Sequence, residues 1–169
     1  MKLSTLALIA FSSISTSAIA SSNNAVIGDW NGENRAMTYE LGFSWYYQAR
    51  IDSSFNGRQS LYLQIEHMSK DSCDRFNYTS YDTPNQYERQ IPWKINGQPV
   101  KMFEVCTKYG DSDSYYVYAY PVTETGRNFV INAFKNSKRL VKIEGLGRDF
   151  NLSAKGFTQA WNNFGGNAI

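Results

Sequence analysis

Regular alternation of apolar and polar residues, broken by Asn-Gly pairs, restricts the fold of this chain more than any other feature. Apolar side chains fall on every second residue from Phe43 to Ile51 and again from Leu61 to Glu66. A period of two is typical of a β-strand with one buried face. Because the turn residues Asn56-Gly57 lie between the two stretches, the sequence predicts a β-hairpin. On its second strand, the residues predicted to face outward are Tyr62, Gln64 and Glu66.

A second hairpin is predicted at Asn96-Gly97, which lies between Ile91–Ile95 and Gln98–Cys106. Asn and Gly tolerate the positive φ angles of a tight type I′ turn better than other residues. Pro92 has no backbone N–H to donate, so the first arm is predicted at a sheet edge. A further alternating stretch predicts a strand over Tyr115–Tyr120.

The remaining segments are mixed. Residues 21–42 are polar and rich in turn residues, so they are predicted to be irregular, with room for one short strand around Ala25–Trp30. Two further short strands are predicted at Arg139–Ile143 and Phe150–Leu152. Ser153 is predicted to cap a last helix, which Gly165-Gly166 ends. Apolar residues with helical spacing predict that helix and an earlier short one; they are Phe157, Ala160, Trp161 and Phe164, and Phe129, Val130, Ala133 and Phe134.

The order of these elements predicts the fold class. The strands form hairpins rather than β-α-β units, which favours an antiparallel sheet. The expected architecture is mostly β (α+β): an antiparallel β-sandwich or half-barrel with a short helix and a C-terminal helix packed on it. The chain contains no internal repeat and no low-complexity linker, so a single β-rich domain is expected over residues 21–169.

The first twenty residues have the pattern of a secretory signal peptide. Lys2 is followed by the apolar run Leu6–Phe11 and by small residues up to Ala20. The alternative is a membrane anchor, but the apolar run is too short to cross a bilayer. Cleavage near Ala20 is therefore expected, and with it a periplasmic or extracellular protein without a membrane span.

The sequence contains two cysteines, Cys73 and Cys106. In an exported chain an even number of cysteines favours a disulfide. The alternative is a redox or metal site, but the two cysteines do not form a CxxC motif and the chain has one histidine. A structural disulfide between Cys73 and Cys106 is predicted.

Charge and aromatic content narrow the range of partners. Seventeen Lys and Arg face fifteen Asp and Glu, and this near-neutral balance argues against a nucleic-acid partner. Aromatic residues make up 15% of the chain. Tyr116, Tyr118 and Tyr120 share one face of their predicted strand. If that face is exposed it forms a docking surface, whereas if the C-terminal helix covers it these tyrosines belong to the core.

Catalytic patterns are weak. The sequence has no nucleophile elbow, no zinc-protease motif and no phosphate loop. His67 is interpreted as a surface residue at a strand end, and Asp111-Ser112-Asp113 as a solvated turn rather than a calcium site. Four glutamates could form a glycosidase pair, but nothing in the sequence brings two of them together; they are Glu40, Glu66, Glu88 and Glu104. We expect no catalytic residue, no metal and no cofactor.

The last part of the chain resembles a known family. The stretches Phe103–Cys106, Tyr115–Tyr120 and Phe134-Lys135, with the ending Leu152–Ala160, resemble the invasion-associated locus B family of small exported bacterial β proteins. That family usually carries a further cysteine pair, which this chain lacks. The resemblance implies export and a β fold, and it implies no particular chemistry.

Three functions remain open on these observations. The first is an exported, non-enzymatic binding protein that docks or inhibits another protein. The second is a module that binds cell-wall glycans, because aromatic side chains suit sugar rings. The third is a small hydrolase, which would need two carboxylates, or His67 with an acid and a hydroxyl, in one cleft.

Overall fold

The computed structural model describes residues 25–30, 34–75, 79–80 and 86–165. The strands are β1 (Ala25–Ile27), β2 (Arg35–Glu40), β3 (Tyr46–Ser53), β4 (Gln59–Met68), β5 (Thr79–Ser80), β6 (Gln86–Ile95), β7 (Gln98–Lys108), β8 (Tyr115–Pro121), β9 (Leu140–Gly145) and β10 (Arg148–Ser153). The helices are α1 (Lys70–Arg75), α2 (Glu124–Asn136) and α3 (Phe157–Asn163).

The strands form one antiparallel sheet that curls until its ends nearly meet. Its order is β1-β2-β3-β4-β8-β7-β6-β9-β10, with β5 paired to β6. The last strand returns beside β2, where the Thr38 hydroxyl donates to the Asn151 carbonyl at 2.6 Å. The predicted mostly β, antiparallel fold is confirmed, in the form of a half-barrel rather than two stacked sheets.

Both predicted hairpins are confirmed. The turn at Asn56-Gly57 joins β3 to β4, and the turn at Asn96-Gly97 joins β6 to β7. Asn96 and Gly97 have φ angles of 50° and 81°, as a type I′ turn requires. Pro92 is only locally at an edge. The strand β6 lies inside the sheet, but its pairing to β9 covers Lys94 and Ile95 alone.

The core lies between one face of the curled sheet and two helices. Alternation places every second residue of the central strands on this face, and these residues are fully buried; they are Tyr47, Ala49 and Ile51, Leu61, Leu63 and Ile65, and Val117 and Ala119. The same cluster includes Val130, Ile131 and Phe134 from α2 and Phe157 and Ala160 from α3. The opposite, outer face of the sheet therefore carries the alternate residues.

The predicted disulfide joins Cys73 to Cys106, with the two Cα atoms 5.9 Å apart. Both cysteines are fully buried. The bond ties α1, which follows β4, to β7. Among the described residues no helix is long and apolar enough to cross a bilayer. The predicted signal peptide, residues 1–20, lies outside the described residues.

Two boundaries near the N-terminus differ from the prediction. The segment predicted to be irregular contains β2, whose buried Thr38 finds its hydrogen-bond partner on the distant β10. Strand β3 begins at Tyr46 rather than at Phe43, which is 57% exposed. Phe43 instead stacks on Trp45, with ring centroids 5.5 Å apart.

The two predicted helices form, with different ends. Thr123 caps α2 by accepting a hydrogen bond from the Gly126 N–H at 3.0 Å, so this helix is longer than expected. The predicted cap at Ser153 is wrong. Ser153 belongs to β10, and its hydroxyl donates to Asp29 at 2.6 Å, while α3 starts after Gly156.

Candidate functional site

The three tyrosines predicted as an aromatic face lie on the outer face of β8. Alternation sends Val117 and Ala119 into the core and sends Tyr116, Tyr118 and Tyr120 to the other side of the sheet. We call these three residues the tyrosine row. Each is half-buried, and the C-terminal helix does not cover them because it packs on the core face.

The row continues onto the neighbouring strands through ring contacts. Its centroids lie 6.0 Å apart between Tyr116 and Tyr118 and 6.5 Å apart between Tyr118 and Tyr120. Tyr62 of β4 meets Tyr118 and Tyr120 edge-on, at 6.1 and 5.7 Å. Phe103 of β7 lies 5.3 Å from Tyr120 on the other flank. These contacts hold the rings in place, which reduces the entropy that a ligand would have to remove.

A groove opens at the Tyr120 end of the row. It encloses about 520 Å³, within the range of about 300–1,000 Å³ typical of small-molecule pockets. Tyr62, Tyr118 and Tyr120 line one part of it, and the tip of the β3–β4 hairpin and the start of α2 line the rest. Phe55 at the hairpin tip is fully exposed and Val122 is 40% exposed. The groove therefore combines fixed tyrosines with exposed apolar side chains.

Charged residues close one side of this groove. Glu124 Oε1 accepts from Arg58 Nη2 at 2.7 Å and from Arg127 Nη1 at 3.2 Å. Arg127 Nη2 also donates to the Gln59 carbonyl at 2.6 Å. The hydrogen bond from Arg58 is the main cause that lowers the pKa of Glu124. An ionised carboxylate thus lies between two guanidinium groups.

The phenols of the row stay protonated well beyond neutral pH. Burial, followed by the neighbouring Tyr116 and Tyr120, raises the pKa of Tyr118 to about 12. Burial is also the main cause that raises the pKa of Tyr62, Tyr116 and Tyr120. Each hydroxyl is therefore a neutral group that can donate or accept a hydrogen bond.

The Tyr116 end of the row is closed by a second group of side chains, which we call the Glu66 cluster: Gln48, Gln64, Glu66 and Tyr109. Gln48 Nε2 donates to Gln64 Oε1 at 2.6 Å and to Glu66 Oε1 at 2.5 Å. The Tyr109 hydroxyl donates to Glu66 Oε2. The Tyr109 ring lies 4.4 Å from that of Tyr116, so the cluster adjoins the row directly.

Burial distinguishes this cluster from an ordinary polar face. Glu66 is 1% exposed and Gln48 is 5% exposed, although both lie on the outer face. Burial and the hydrogen bond to Glu66 raise the pKa of Tyr109. Gln48 Oε1 is buried and has no hydrogen-bond partner among the described residues.

His67 lies beside the cluster at a β-bulge. Its φ of 57° is unusual for a residue other than glycine, and the pairing of β4 with β8 shifts between Ile65 and Met68. Its exposed ring lies near Tyr46 and Tyr109, and its Nδ1 is 3.3 Å from the Ser114 hydroxyl. In the described part of the chain no carboxylate hydrogen-bonds to this ring, so the hydroxyl and histidine meet without an acid.

The four glutamates considered as candidates in the sequence do not come together as a catalytic pair. Glu66 and Glu104 lie on opposite faces of the sheet, and Glu104 pairs with Arg89 at 2.6 Å inside the core. Glu88 shares the outer face with Glu66 but lies three strands away, roughly 14 Å at the usual strand spacing. That distance exceeds the separation of about 6.5–9.5 Å in inverting glycosidases. Glu40 ends β2, further along the sheet.

Other sequence candidates give no ligand site. Asp113 lies in the exposed turn between β7 and β8, with Lys108 3.8 Å away. Within the described ranges, no group of three or more His, Cys, Asp or Glu side chains is arranged to hold a metal.

The sequence predicted the tyrosine row but neither of its two ends. The predicted outward direction of Tyr62 from the hairpin pattern is correct. Gln64 and Glu66 also face outward as predicted, but they are buried there. The hairpin register pairs Gln48 with Gln64 and Tyr46 with Glu66, so a search for polar partners across that hairpin could have found the cluster. The Arg58–Glu124 contact joins residues 66 positions apart, and no local pattern indicates it.

Comparisons with protein-family models, curated proteins and solved structures give no match for this chain. The resemblance to the invasion-associated locus B family therefore stays a prediction from the quoted residues.

Proposed function

We propose that this protein is an exported binding protein that docks another protein through the tyrosine row and the adjoining groove. The observation that carries the proposal is the open groove lined by Tyr62, Tyr118 and Tyr120 on the sheet face opposite the helices. Buried tyrosines in a core would have no such opening. Export rests on the N-terminal pattern of residues 1–20, and the Cys73–Cys106 disulfide is consistent with it.

The composition of the groove favours a protein partner. Tyr and Arg are enriched among the residues that dominate the affinity of protein interfaces. The groove presents Tyr118 and Tyr120 beside Arg58, with the apolar Phe55 and Val122 exposed at its border. Rings already held by their neighbours lose little side-chain entropy on binding.

The test is a capture experiment with matched variants. The full chain, expressed with its own leader and recovered oxidised from the exported fraction, is immobilised and exposed to periplasmic extract and culture supernatant. The double variant Tyr118→Ala/Tyr120→Ala removes the lining of the groove. Tyr39→Ala removes a tyrosine that is 42% exposed on β2, outside the groove lining, and serves as the control.

We expect one stoichiometric protein that is captured by the wild type and by Tyr39→Ala and is lost with the double variant. Equal capture by all three proteins would show that the groove is not the docking surface. Sedimentation with purified peptidoglycan examines the glycan alternative. Co-sedimentation that the double variant abolishes would replace the protein partner with a cell-wall glycan.

A further inference from the structure

The charged side of the groove indicates the chemistry of the partner. We propose that the groove receives an extended segment of the partner protein whose Asp or Glu carboxylate binds Arg58, next to an apolar side chain held by Tyr118 and Tyr120. This inference rests on the proposed function, because it names what the same groove recognises. It assigns the partner an acidic rather than a basic or neutral docking segment.

The side chains that line the groove carry a net positive charge. Its lining contains two arginines, Arg58 and Arg127, and one acid, Glu124. Two positive charges against one negative charge leave a net charge of +1. Both guanidinium groups contact the same oxygen, Glu124 Oε1, at 2.7 and 3.2 Å. One carboxylate is thus shared between two cations, and a second carboxylate would complete the pairing.

Arg58 has N–H donors that a ligand can reach. A guanidinium has five N–H donors. Arg58 donates to Glu124 through Nη2, and its Nε and Nη1 donate to no other group within the described ranges. Its side chain is 52% exposed, so these donors can be reached from outside. Arg127 is less accessible, at 19% exposed, and it is already committed to the Gln59 carbonyl.

The groove places apolar side chains and a charged side chain together. Arg58 shares the groove with Tyr62, Tyr118 and Tyr120, and the exposed Phe55 lies three residues before it on the same hairpin. A ligand that fills the groove must therefore satisfy a cation and cover aromatic rings at the same time. A peptide segment with a carboxylate beside an apolar or aromatic side chain has both features.

The probe is a display library of random linear peptides, with the wild-type protein as bait. We expect the selected sequences to share an Asp or Glu close to an apolar or aromatic residue. Selected peptides without this acidic preference, or with Lys or Arg in its place, would overturn the inference. Failure to select any peptide would exclude recognition of an extended segment.

Two substitutions with opposite expected signs then examine the selected peptide. Arg58→Gln removes the accessible donors, and we expect its Kd to rise roughly tenfold or more. Glu124→Gln removes the internal carboxylate that competes for the arginines, and we expect the peptide to bind roughly threefold more tightly. Raising the ionic strength should weaken binding to the wild type more than binding to Arg58→Gln.

The outcomes separate this inference from the proposed function. If Tyr118→Ala/Tyr120→Ala abolishes binding while Arg58→Gln changes nothing, the groove docks a partner but the acidic partner is wrong. If Glu124→Gln weakens binding of the selected peptide, Glu124 does not compete with that peptide for the arginines, and the inference is overturned. If the tyrosine double variant binds as tightly as the wild type, the proposed function itself fails. Arg58 and Glu124 are exposed, and circular dichroism of all three variants checks that the fold is retained.

Discussion

The two ends of the tyrosine row begin on the same strand and lead to opposite environments. At the Tyr120 end the ring borders an open groove with exposed arginine donors. At the Tyr116 end the adjacent Tyr109 folds over Glu66, which is 1% exposed. The strand itself offers the same side chain at both positions. The difference comes from the loops, since the β7–β8 turn supplies a lid at one end while the β3–β4 hairpin and α2 leave a gap at the other.

This contrast shows how one sheet face can combine stability and recognition. A buried carboxylate is costly unless hydrogen bonds satisfy it. Glu66 obtains these from Gln48 and Tyr109, which fixes the closed end. The charges at the open end are exposed, so they contribute little to stability and can exchange partners. We therefore expect substitutions at the closed end to lower stability and substitutions at the open end to alter binding.

The largest expected effect comes from removing the disulfide, which braces the closed end. Cys73 lies in α1, shortly after His67 at the end of β4. Cys106 lies in β7, three residues before Tyr109. The loop between the cysteines spans 33 positions, so Cys73→Ala/Cys106→Ala should cost about 3–4 kcal/mol in the free energy of unfolding. Urea denaturation measures this loss. Groove binding by the folded fraction should be retained, and a matching loss of groove affinity would show that the two ends are not independent.

A pair of identical substitutions compares the ends directly. Tyr109→Phe leaves the buried Glu66 Oε2 without its donor and should cost about 1–3 kcal/mol. Tyr120→Phe removes a hydroxyl at the open end and should stay within about 0.5 kcal/mol of the wild type. Thermal and urea unfolding of both variants provide the measurement. Equal losses would remove the distinction between a closed and an open end.

Alkaline pH should weaken the fold through the row as a whole. The pKa of Tyr118 is raised to about 12, above the value of about 10 for an unfolded tyrosine. The folded state therefore holds this proton more tightly, so the stability it contributes is complete below about pH 10 and is lost as the pH rises through about 12. In Tyr118→Phe the free energy of unfolding should fall less steeply with pH above pH 10. The difference in slope should correspond to at most about one titrating proton. Unfolding measured across this range, with phenolate absorbance, tests the slope. An unchanged slope would show that Tyr118 titrates as it does in the unfolded chain.

The sequence predicted the parts of this molecule that depend on local pattern. The period-two stretch in β4 identified which residues face the core, because alternation is a property of the strand itself. Asn96-Gly97 identified its turn because the backbone there needs positive φ angles. Strand β2 escaped prediction because its buried Thr38 is polar and depends on a carbonyl 113 residues away. The cap at Ser153 was wrong for a similar reason, since Asp29 claims that hydroxyl.

The candidate site divides in the same way. Alternation along β8 was enough to place Tyr116, Tyr118 and Tyr120 on one face. Which end of the row is open depends on tertiary contacts, and no single segment carries that information. Glu66 was predicted outward and is outward, yet it is buried there and accepts a hydrogen bond from Tyr109, 43 residues further along the chain. Arg58 and Glu124 meet only because the β3–β4 hairpin lies beside the start of α2.

The smallest expected effect on stability is at the Arg58–Glu124 ion pair of the open end. Arg58 and Glu124 are each 52% exposed, and the attraction within such an exposed pair offsets little of the side-chain entropy lost when the pair forms. The variants Arg58→Gln and Glu124→Gln should each have a melting temperature within about 2 °C of that of the wild type. The same substitutions are expected to move peptide affinity in opposite directions. Melting curves and binding isotherms from one preparation therefore separate the two roles. A large drop in melting temperature would mean that this pair stabilises the hairpin against α2, and the open end would then resemble the closed one.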